Sequence, residues 1–259
     1  MIKKENFDEL VKKYENKNFI ENDPIQFPHR FQNKSDVEIA GFLASIHAYG
    51  SRPVFISKLN KLFEIMDNSP TEFIRNFDNN STTLDNFSYR FAKGCDIKEI
   101  ILILKKLYKE ENSSLGKLFE YGWNNHHNVQ EMLIIVCDYF YSNIKNEVSN
   151  GFYHLIPNAR KGSALKRMNM FLRWMIRDGE VDLGIWNFMP KSELIIPLDT
   201  HVARISQETG LINIANNSFK NAQKITNELK KLDTNDPIKY DFALFGFGID
   251  NPKKAFQNI

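Results

Sequence analysis

The chain of 259 residues contains only two cysteines, Cys95 and Cys137, which lie far apart and outside any CxxC spacing. A structural zinc site needs closely spaced cysteine or histidine ligands, so this pattern argues against one. No stretch is long and apolar enough to span a membrane, and the segment MIKKENFDELVKKYEN lacks an apolar signal core. We therefore expect a cytoplasmic protein with no membrane partner.

The chain also has little excess of either charge, because 34 lysine and arginine residues nearly balance 32 aspartate and glutamate residues. The formal net charge of +2 excludes a global basic field, so any affinity for nucleic acid must come from a local patch. Hydrophobic residues make up 42% of the chain and aromatic residues 13%. That content can fill a sizeable core and excludes a disordered chain.

Apolar residues recur at helical spacing along most of the chain, and no convincing run alternates as a β-strand would. Clusters of Asn, Ser, Asp and Pro separate the periodic segments. The sequence therefore predicts an all-α fold. The predicted helices cover residues 6–14, 35–49, 53–67, 70–77, 97–109, 115–121, 129–146, 163–176, 200–209, 218–231 and 236–245.

The most informative stretch runs from Gly162 to Arg204, where GSALKRMNMFLRW is followed by IIPLDTHVARI. Pro197 restricts the residue before it to extended geometry, and the segment after Asp199 has helical periodicity, so a helix should begin close to Asp199. The ordinary role of an aspartate there is to cap the first turn. A catalytic carboxylate is the alternative.

Lys166 lies at the edge of an apolar stripe, and an ordinary snorkelling lysine is its simplest interpretation. No acidic residue interrupts its neighbourhood before Asp178. A phosphate-binding surface and a solvated helix face both fit this charge pattern. The basic residues concerned are Arg160, Lys161, Lys166, Arg167, Arg173, Arg177 and, beyond the helix, Lys191.

GSALKRMN and the downstream PLDTHVARI together resemble the helix-hairpin-helix DNA glycosylase superfamily, which includes endonuclease III and the 8-oxoguanine glycosylases. In that comparison Gly162 matches the hairpin glycine, Lys166 the Schiff-base lysine, Asn169 a helix asparagine and Asp199 the catalytic aspartate. The segment SDVEIAGFLASIHAYGSR resembles the helix that ends in the family's DNA wedge loop. The whole chain is similar to DUF2400, a bacterial family of unknown function with DPI.FPHRF, KGSA.KR.NMFLRWM and PLDTH motifs.

The resemblance implies a base-excision repair glycosylase with AP lyase activity, acting on oxidised purines of the 8-oxoguanine kind or on abasic sites. Asp199 would stabilise the sugar cation, and Lys166 would attack C1′. The partner would be double-stranded DNA containing a damaged base or an abasic site, and we expect a monomer. The target nucleotide would have to be flipped out of the helix.

The same resemblance implies which other residues touch DNA. His47 falls at the wedge position, although a histidine at a helix end is otherwise a cap or a surface residue. A weak base pocket would contain Tyr49, Phe242 and Phe245, although a core position is the simpler interpretation of the two phenylalanines. The remaining DNA contacts would come from Arg160, Lys161, Gly162, Ser163, Arg167, Arg52, His201 and Arg204.

The implied architecture is a two-lobed helical fold. Residues 31–177 would form a central barrel lobe ending in the hairpin, and residues 1–30 with 178–259 the second lobe, so that Lys166 and Asp199 face one cleft. No cofactor is expected: the last segment, GFGIDNPKKAFQNI, lacks the four cysteines that hold the iron–sulfur cluster in endonuclease III. The resemblance allows a monovalent cation at the hairpin.

This chain also departs from the superfamily pattern. Ala164 replaces the second hairpin glycine, and residues 178–196 form an insertion between Lys166 and Asp199 that we interpret as a loop or short helix. Two other functions therefore stay open. The chain could be a non-catalytic DNA- or RNA-binding module on the same scaffold, or a structural or interaction protein in which Asp199 is only a cap.

Overall fold

The computed structural model of the protein describes residues 4–109 and 112–251. Short 3-10 turns occur at Pro24–Gln26, Pro28–Arg30, Ala159–Lys161, Lys191–Glu193 and Pro237–Lys239. The α-helices and the two strands of a small antiparallel hairpin are α1 (Lys4–Tyr14), α2 (Lys17–Glu21), α3 (Lys34–His47), α4 (Arg52–Ile65), α5 (Pro70–Asn76), β1 (Ser88–Tyr89), β2 (Ala92–Lys93), α6 (Gly94–Lys109), α7 (Leu115–His126), α8 (Val129–Ser142), α9 (Asn150–Leu155), α10 (Lys166–Ile176), α11 (Thr200–Glu208), α12 (Phe219–Lys230) and α13 (Tyr240–Asp250).

The predicted all-α character is confirmed, and each predicted helix has a counterpart. The prediction missed α2, α9 and the hairpin, because elements of two to six residues are too short to show a period. It also placed the start of α10 three residues early. Leu165 precedes α10 in the left-handed region, at φ +50°. It ends the turn formed by residues 161–165, which we call the hairpin turn and which is separate from the β1–β2 hairpin.

The chain divides into two compact units. The continuous unit is Asp23–Arg160. The discontinuous unit combines the described residues up to Asn22 with those from Lys161 onward. The structure thus groups residues 161–177 with the C-terminal helices, whereas the sequence analysis placed them with 31–160. The reason is local: Ser163 forms a β-bridge with Ser218, and α10 is ion-paired to segments of the discontinuous unit on both sides of it in sequence.

In the continuous unit, the hairpin is held between the α3–α4 loop and α9. The hydroxyl of Tyr49 donates to the carbonyl of Tyr89, and the hydroxyl of Tyr89 donates to the carbonyl of Tyr49. The buried carboxylate of Asp96 accepts from the amides of Lys93 and Ser149. These bonds join β1, β2, α6 and the start of α9 into one corner of the unit.

In the discontinuous unit, α10 is buried along almost its whole length, since every residue from Met168 to Ile176 is buried. Among them is Arg173, and Arg177 follows at the helix end; each is only 4% exposed. Two buried guanidinium groups require compensating carboxylates. The charge pattern of the sequence predicted a basic surface that included both arginines. This prediction is wrong for these two residues, because both are buried.

Most of the compensating acids come from distant parts of the sequence, whereas Asp182 follows α10 closely. Arg173 pairs with Asp182 at 3.1 Å and with Asp241. Arg177 pairs with Asp182 at 2.9 Å, with Asp236 at 3.0 Å and with Glu15. Burial opposes the charge of Arg177, but these partners more than offset it and raise its pKa. We call these two arginines and their four acids the ion network: Arg173, Arg177, Glu15, Asp182, Asp236 and Asp241.

The insertion 178–196 contributes to this network and closes the end of α10. Its amides at Leu183 and Trp186 donate to the carbonyls of Trp174 and Met175, at 2.8 and 2.7 Å. Trp186 is buried and packs edge-on against Phe171. The insertion is a loop with one 3-10 turn, as predicted.

We predict that Asp182→Ala lowers the free energy of unfolding by about 3–5 kcal/mol, because it removes a fully enclosed carboxylate shared by two buried arginines. Urea denaturation would measure the change. Glu120→Ala is the matched control: its partner Lys117 is 61% exposed, so its loss should cost less than about 1 kcal/mol. Equal effects of the two substitutions would contradict the structural role of the network.

Candidate active site

Lys166 is the first residue of α10, and the turn before it fixes its position. Gly162 adopts φ +71°, and Leu165 adopts φ +50°. The left-handed region costs a leucine roughly 1–2 kcal/mol relative to glycine, so surrounding contacts must hold Leu165 there. The side-chain amide of Asn169 donates to the carbonyl of Ala164 at 3.0 Å and so ties the turn to the helix.

The hairpin turn is also bound to the segment before α12. The amide of Ala164 donates to the carbonyl of Asn217 at 3.0 Å, and the amide of Phe219 donates to the carbonyl of Gly162 at 2.9 Å. Lys161, Gly162 and Ser163 stay exposed on the outside of this turn. An exposed turn that carries Lys161 therefore leads into α10.

Asp199 is the N-cap of α11, as predicted. Its Oδ1 accepts from the amides of His201 and Val202, at 2.9 Å each. Its Oδ2 lies 3.3 Å from Nζ of Lys166. The cap and the pairing with lysine are thus not competing interpretations, because one carboxylate serves both with different oxygens.

The lysine–aspartate pair is partly accessible. The side chain of Lys166 is 30% exposed and that of Asp199 is 17% exposed. A pair at this depth is shielded from bulk solvent on one side while a ligand can reach it from the other. The predicted proximity of the two side chains is confirmed, whereas their catalytic roles stay a prediction.

Helix α13 supplies one wall of this site. The ring of Phe245 lies 5.5 Å from Nζ of Lys166, within the range of a cation–π contact, and is half-buried. Phe242, one turn earlier, is fully buried and packs against Arg173 at 4.5 Å. Of the two phenylalanines assigned with Tyr49 to a base pocket, Phe245 therefore borders the site, and Phe242 belongs to the core.

Asp241 is a site residue that the sequence analysis missed. It is buried, bonds to Arg173 through Oδ2, and among the described residues its Oδ1 has no hydrogen-bond partner. Burial raises the pKa of Asp241 to about 6, against the opposing charge of Arg173, and the negative charge of Asp199 adds to the rise. The available signal was a single acid in the apolar run YDFALFGFG.

Several residues predicted to touch DNA are engaged elsewhere. Arg160 pairs with Asp138 at 2.5 Å. Arg204 pairs with Glu208 and donates to the carbonyls of Gly248 and Asn251, so it closes the end of α13. His201 and Arg167 are half-buried. The exposed cationic surface beside Lys166 is therefore smaller than predicted and is centred on Lys161.

The residues of the predicted wedge lie in the continuous unit. His47 is only 1% exposed, and its Nδ1 lies 2.7 Å from the carbonyl oxygen of Leu43. A wedge must present its side chain to the base stack, so this conformation corrects the assignment to His47. Tyr49, in the α3–α4 loop, and Arg52, the first residue of α4, are half-buried.

No group of three or more metal-binding side chains was found within residues 4–109 and 112–251. Over the same residues, no helix has both the length and the hydropathy that crossing a membrane requires.

The fold and site define an all-α protein with an exposed basic turn and a lysine–aspartate pair at two helix starts. The family described as "Protein of unknown function (DUF2400)" matches residues 23–250, and the chain belongs to that family. No significant match was found among curated proteins or solved structures.

We predict that Asp241 makes stability fall as the pH rises from about 4 to about 6. Its pKa is raised in the folded state, so the unfolded chain loses this proton first, and folding is penalised by roughly 3 kcal/mol once both states are ionised. Chemical denaturation of wild type and Asp241→Asn across that range isolates the effect, because Asn cannot ionise. Parallel stability curves for the two proteins would contradict it.

Proposed function

We propose that this protein is a DNA glycosylase with AP lyase activity, acting on oxidised purines or abasic sites in double-stranded DNA. The observation that carries the proposal is the 3.3 Å approach of Lys166 and Asp199 at two helix starts, in the register of the motifs GSALKRMN and PLDTH. The resemblance to helix-hairpin-helix glycosylases supports this assignment, and a two-lobed glycosylase fold is part of the proposal.

Asp199 has the geometry of a fixed electrostatic group. Breaking an N-glycosidic bond develops positive charge on the sugar, and a preorganised carboxylate stabilises it. The two amides bound to Oδ1 hold the carboxylate in place at the start of α11. Oδ2 is the oxygen left to face the sugar and Lys166.

Lys166 acts as the nucleophile in this proposal. Its Nζ attacks C1′ as the neutral amine, after releasing one proton to solvent, while the bond to the base, or to the hydroxyl of an abasic sugar, breaks. The departing base or hydroxide takes up one of the two remaining protons of the attacking nitrogen, and Asp199 stays ionised. The last proton of this nitrogen passes to O4′ as the sugar ring opens, and the resulting Schiff base permits strand cleavage. Phe245, beside Nζ, limits the directions from which water reaches the amine.

The hairpin turn is the proposed phosphate site. Lys161, Gly162 and Ser163 are exposed, and the N-cap residue of α10, Leu165, makes no side-chain hydrogen bond to the first turn. Amides at a helix start can bind phosphate oxygens through their N–H groups and the helix dipole. A phosphate bound there would place the adjoining sugar near the first residue of the same helix, Lys166.

We predict that DNA binding weakens steeply with salt and that Lys161→Glu weakens it for all sequences alike, because phosphate contacts position the protein without reading bases. Anisotropy titrations at several salt concentrations would show a smaller salt slope for the variant. Lys117→Glu, on α7 of the continuous unit, has the same charge change and serves as control. Equal losses in both variants would point to a general charge effect and not to a hairpin site.

A second pair of variants separates the proposed catalytic roles. Lys166→Gln should lose borohydride trapping and strand cleavage but keep DNA binding, because an amide cannot form a Schiff base. Asp199→Asn should slow base release by roughly 100-fold or more, the scale of losing one preorganised electrostatic group. Gel assays on 8-oxoguanine and abasic duplexes measure both.

The controls follow from the structure. Lys161→Gln removes a neighbouring lysine that lies on the turn and should keep trapping. Asparagine caps helices as well as aspartate does, so Asp199→Asn should leave the melting temperature nearly unchanged. Wild-type turnover in folded Lys166→Gln and Asp199→Asn proteins would contradict the roles assigned to these two residues. DNA binding by the wild type without base release or strand cleavage would leave a non-catalytic DNA-binding module as the function.

A further inference from the structure

An exposed aromatic cluster lies on the continuous unit, where the turn between β1 and β2 meets the α3–α4 loop and α9. The ring of His154 lies 5.1 Å from that of Phe91 and 4.5 Å from that of Tyr49. The guanidinium of Arg90 lies 5.6 Å from the ring of Phe91 and 5.8 Å from that of Tyr49. We call Tyr49, Arg90, Phe91 and His154 the aromatic platform.

The platform presents aromatic surface to solvent. Phe91 is 57% exposed and Tyr153, next to His154 on α9, is 50% exposed. Among the described residues, only Tyr121 joins these two as a large aromatic side chain with comparable exposure. Exposed aromatics that cluster with an arginine mark an interaction surface more strongly than a single exposed ring does.

The backbone beneath the platform is closely packed. Gly151 allows α9 to pack directly on the backbone of Phe91 and Ala92, where a Cβ would collide with both residues. Gly50, at φ +83°, leaves the space that the Arg90 guanidinium occupies. Arg90 itself turns the hairpin at φ +52°, a conformation that a non-glycine residue rarely adopts. A preorganised surface loses little conformational entropy when it binds a ligand.

We propose that the aromatic platform binds an unpaired nucleotide of DNA, with the base stacked on Phe91 and its phosphate paired with Arg90. Unpaired bases offer the flat π-face that an exposed ring accepts, and the adjoining phosphate complements the guanidinium. The buried carboxylate of Asp96, which ties the hairpin to α9, presents no exposed negative charge that would oppose the phosphate.

The platform and the lysine–aspartate site belong to different units, and neither needs the other for its chemistry. The choice of DNA over RNA rests on the proposed function. Stacking can be tested on undamaged DNA, which offers nothing for Lys166 to attack. A failure of stacking is therefore distinguishable from a failure of the glycosylase proposal.

Binding is best measured with a duplex that carries one unpaired 2-aminopurine and, for comparison, its fully paired counterpart. We expect the full chain to bind the unpaired probe more tightly and to quench its fluorescence. Phe91→Ala should weaken this binding by roughly 5- to 150-fold, the effect of losing one base–aromatic stack, and should abolish the quenching. Phe91→Trp should restore both.

Arg90→Asn tests the phosphate contact, because asparagine tolerates the left-handed conformation that Arg90 adopts but carries no charge. It should weaken binding and lower the salt slope by about one. Tyr121→Ala removes a ring that is 62% exposed on α7 and is the matched control, so it should bind as wild type does.

Three results would overturn the proposal. The first is wild-type affinity and quenching in Phe91→Ala, and the second is tighter binding of the matching RNA probe. The third is loss of self-association in Phe91→Ala, measured by sedimentation, with unchanged DNA binding, which would make the platform an interface between two copies of the chain. Unchanged melting temperatures would show that these variants report on binding, since Phe91 is exposed.

Discussion

The two buried arginines of α10 are the constraint on which the discontinuous unit depends. A buried guanidinium is tolerated only where carboxylates surround it, and the acids that surround Arg173 and Arg177 come from three separate segments. Glu15 joins the end of α1 to Arg177, and Asp182 joins the insertion to both arginines. Asp236 and Asp241 do the same for the start of α13. These ion pairs fix the position of α10 and therefore the position of Lys166, which is the first residue of that helix.

Local signals made part of this site predictable. The proline before Asp199 and the periodicity after it located the N-cap, and the apolar stripe located α10. The environment of a charged side chain depends largely on residues far away in sequence. For this reason Arg173 and Arg177 were interpreted as surface cations, and Asp241 was not identified. His47 shows the same limit: the motif located the correct loop, but Phe87 and Tyr89, forty residues further on, cover the side chain.

Asp199 shows why a cap and a functional carboxylate can be one residue. A cap needs a single acceptor oxygen, and the other oxygen is then held at a fixed angle without further contacts of its own to the helix. The orientation of Oδ2 towards Lys166 is thus a by-product of starting a helix. Neither a glutamate, with one more rotatable bond, nor a serine, with one oxygen, would deliver the same arrangement.

The division of the chain also sets an order of events during synthesis. Residues 23–160 are contiguous, so the ribosome delivers everything that the continuous unit needs before α10 emerges. The discontinuous unit cannot form until its C-terminal helices have been made, because Tyr14 packs against Gly246 and Glu15 pairs with Arg177. Helix α1, whose apolar residues Phe7 and Leu10 are buried in the finished protein, therefore stays without its partner helix until more than two hundred further residues have been made. For that interval Phe7 lacks the ring of Tyr240, against which it packs edge-on in the finished protein.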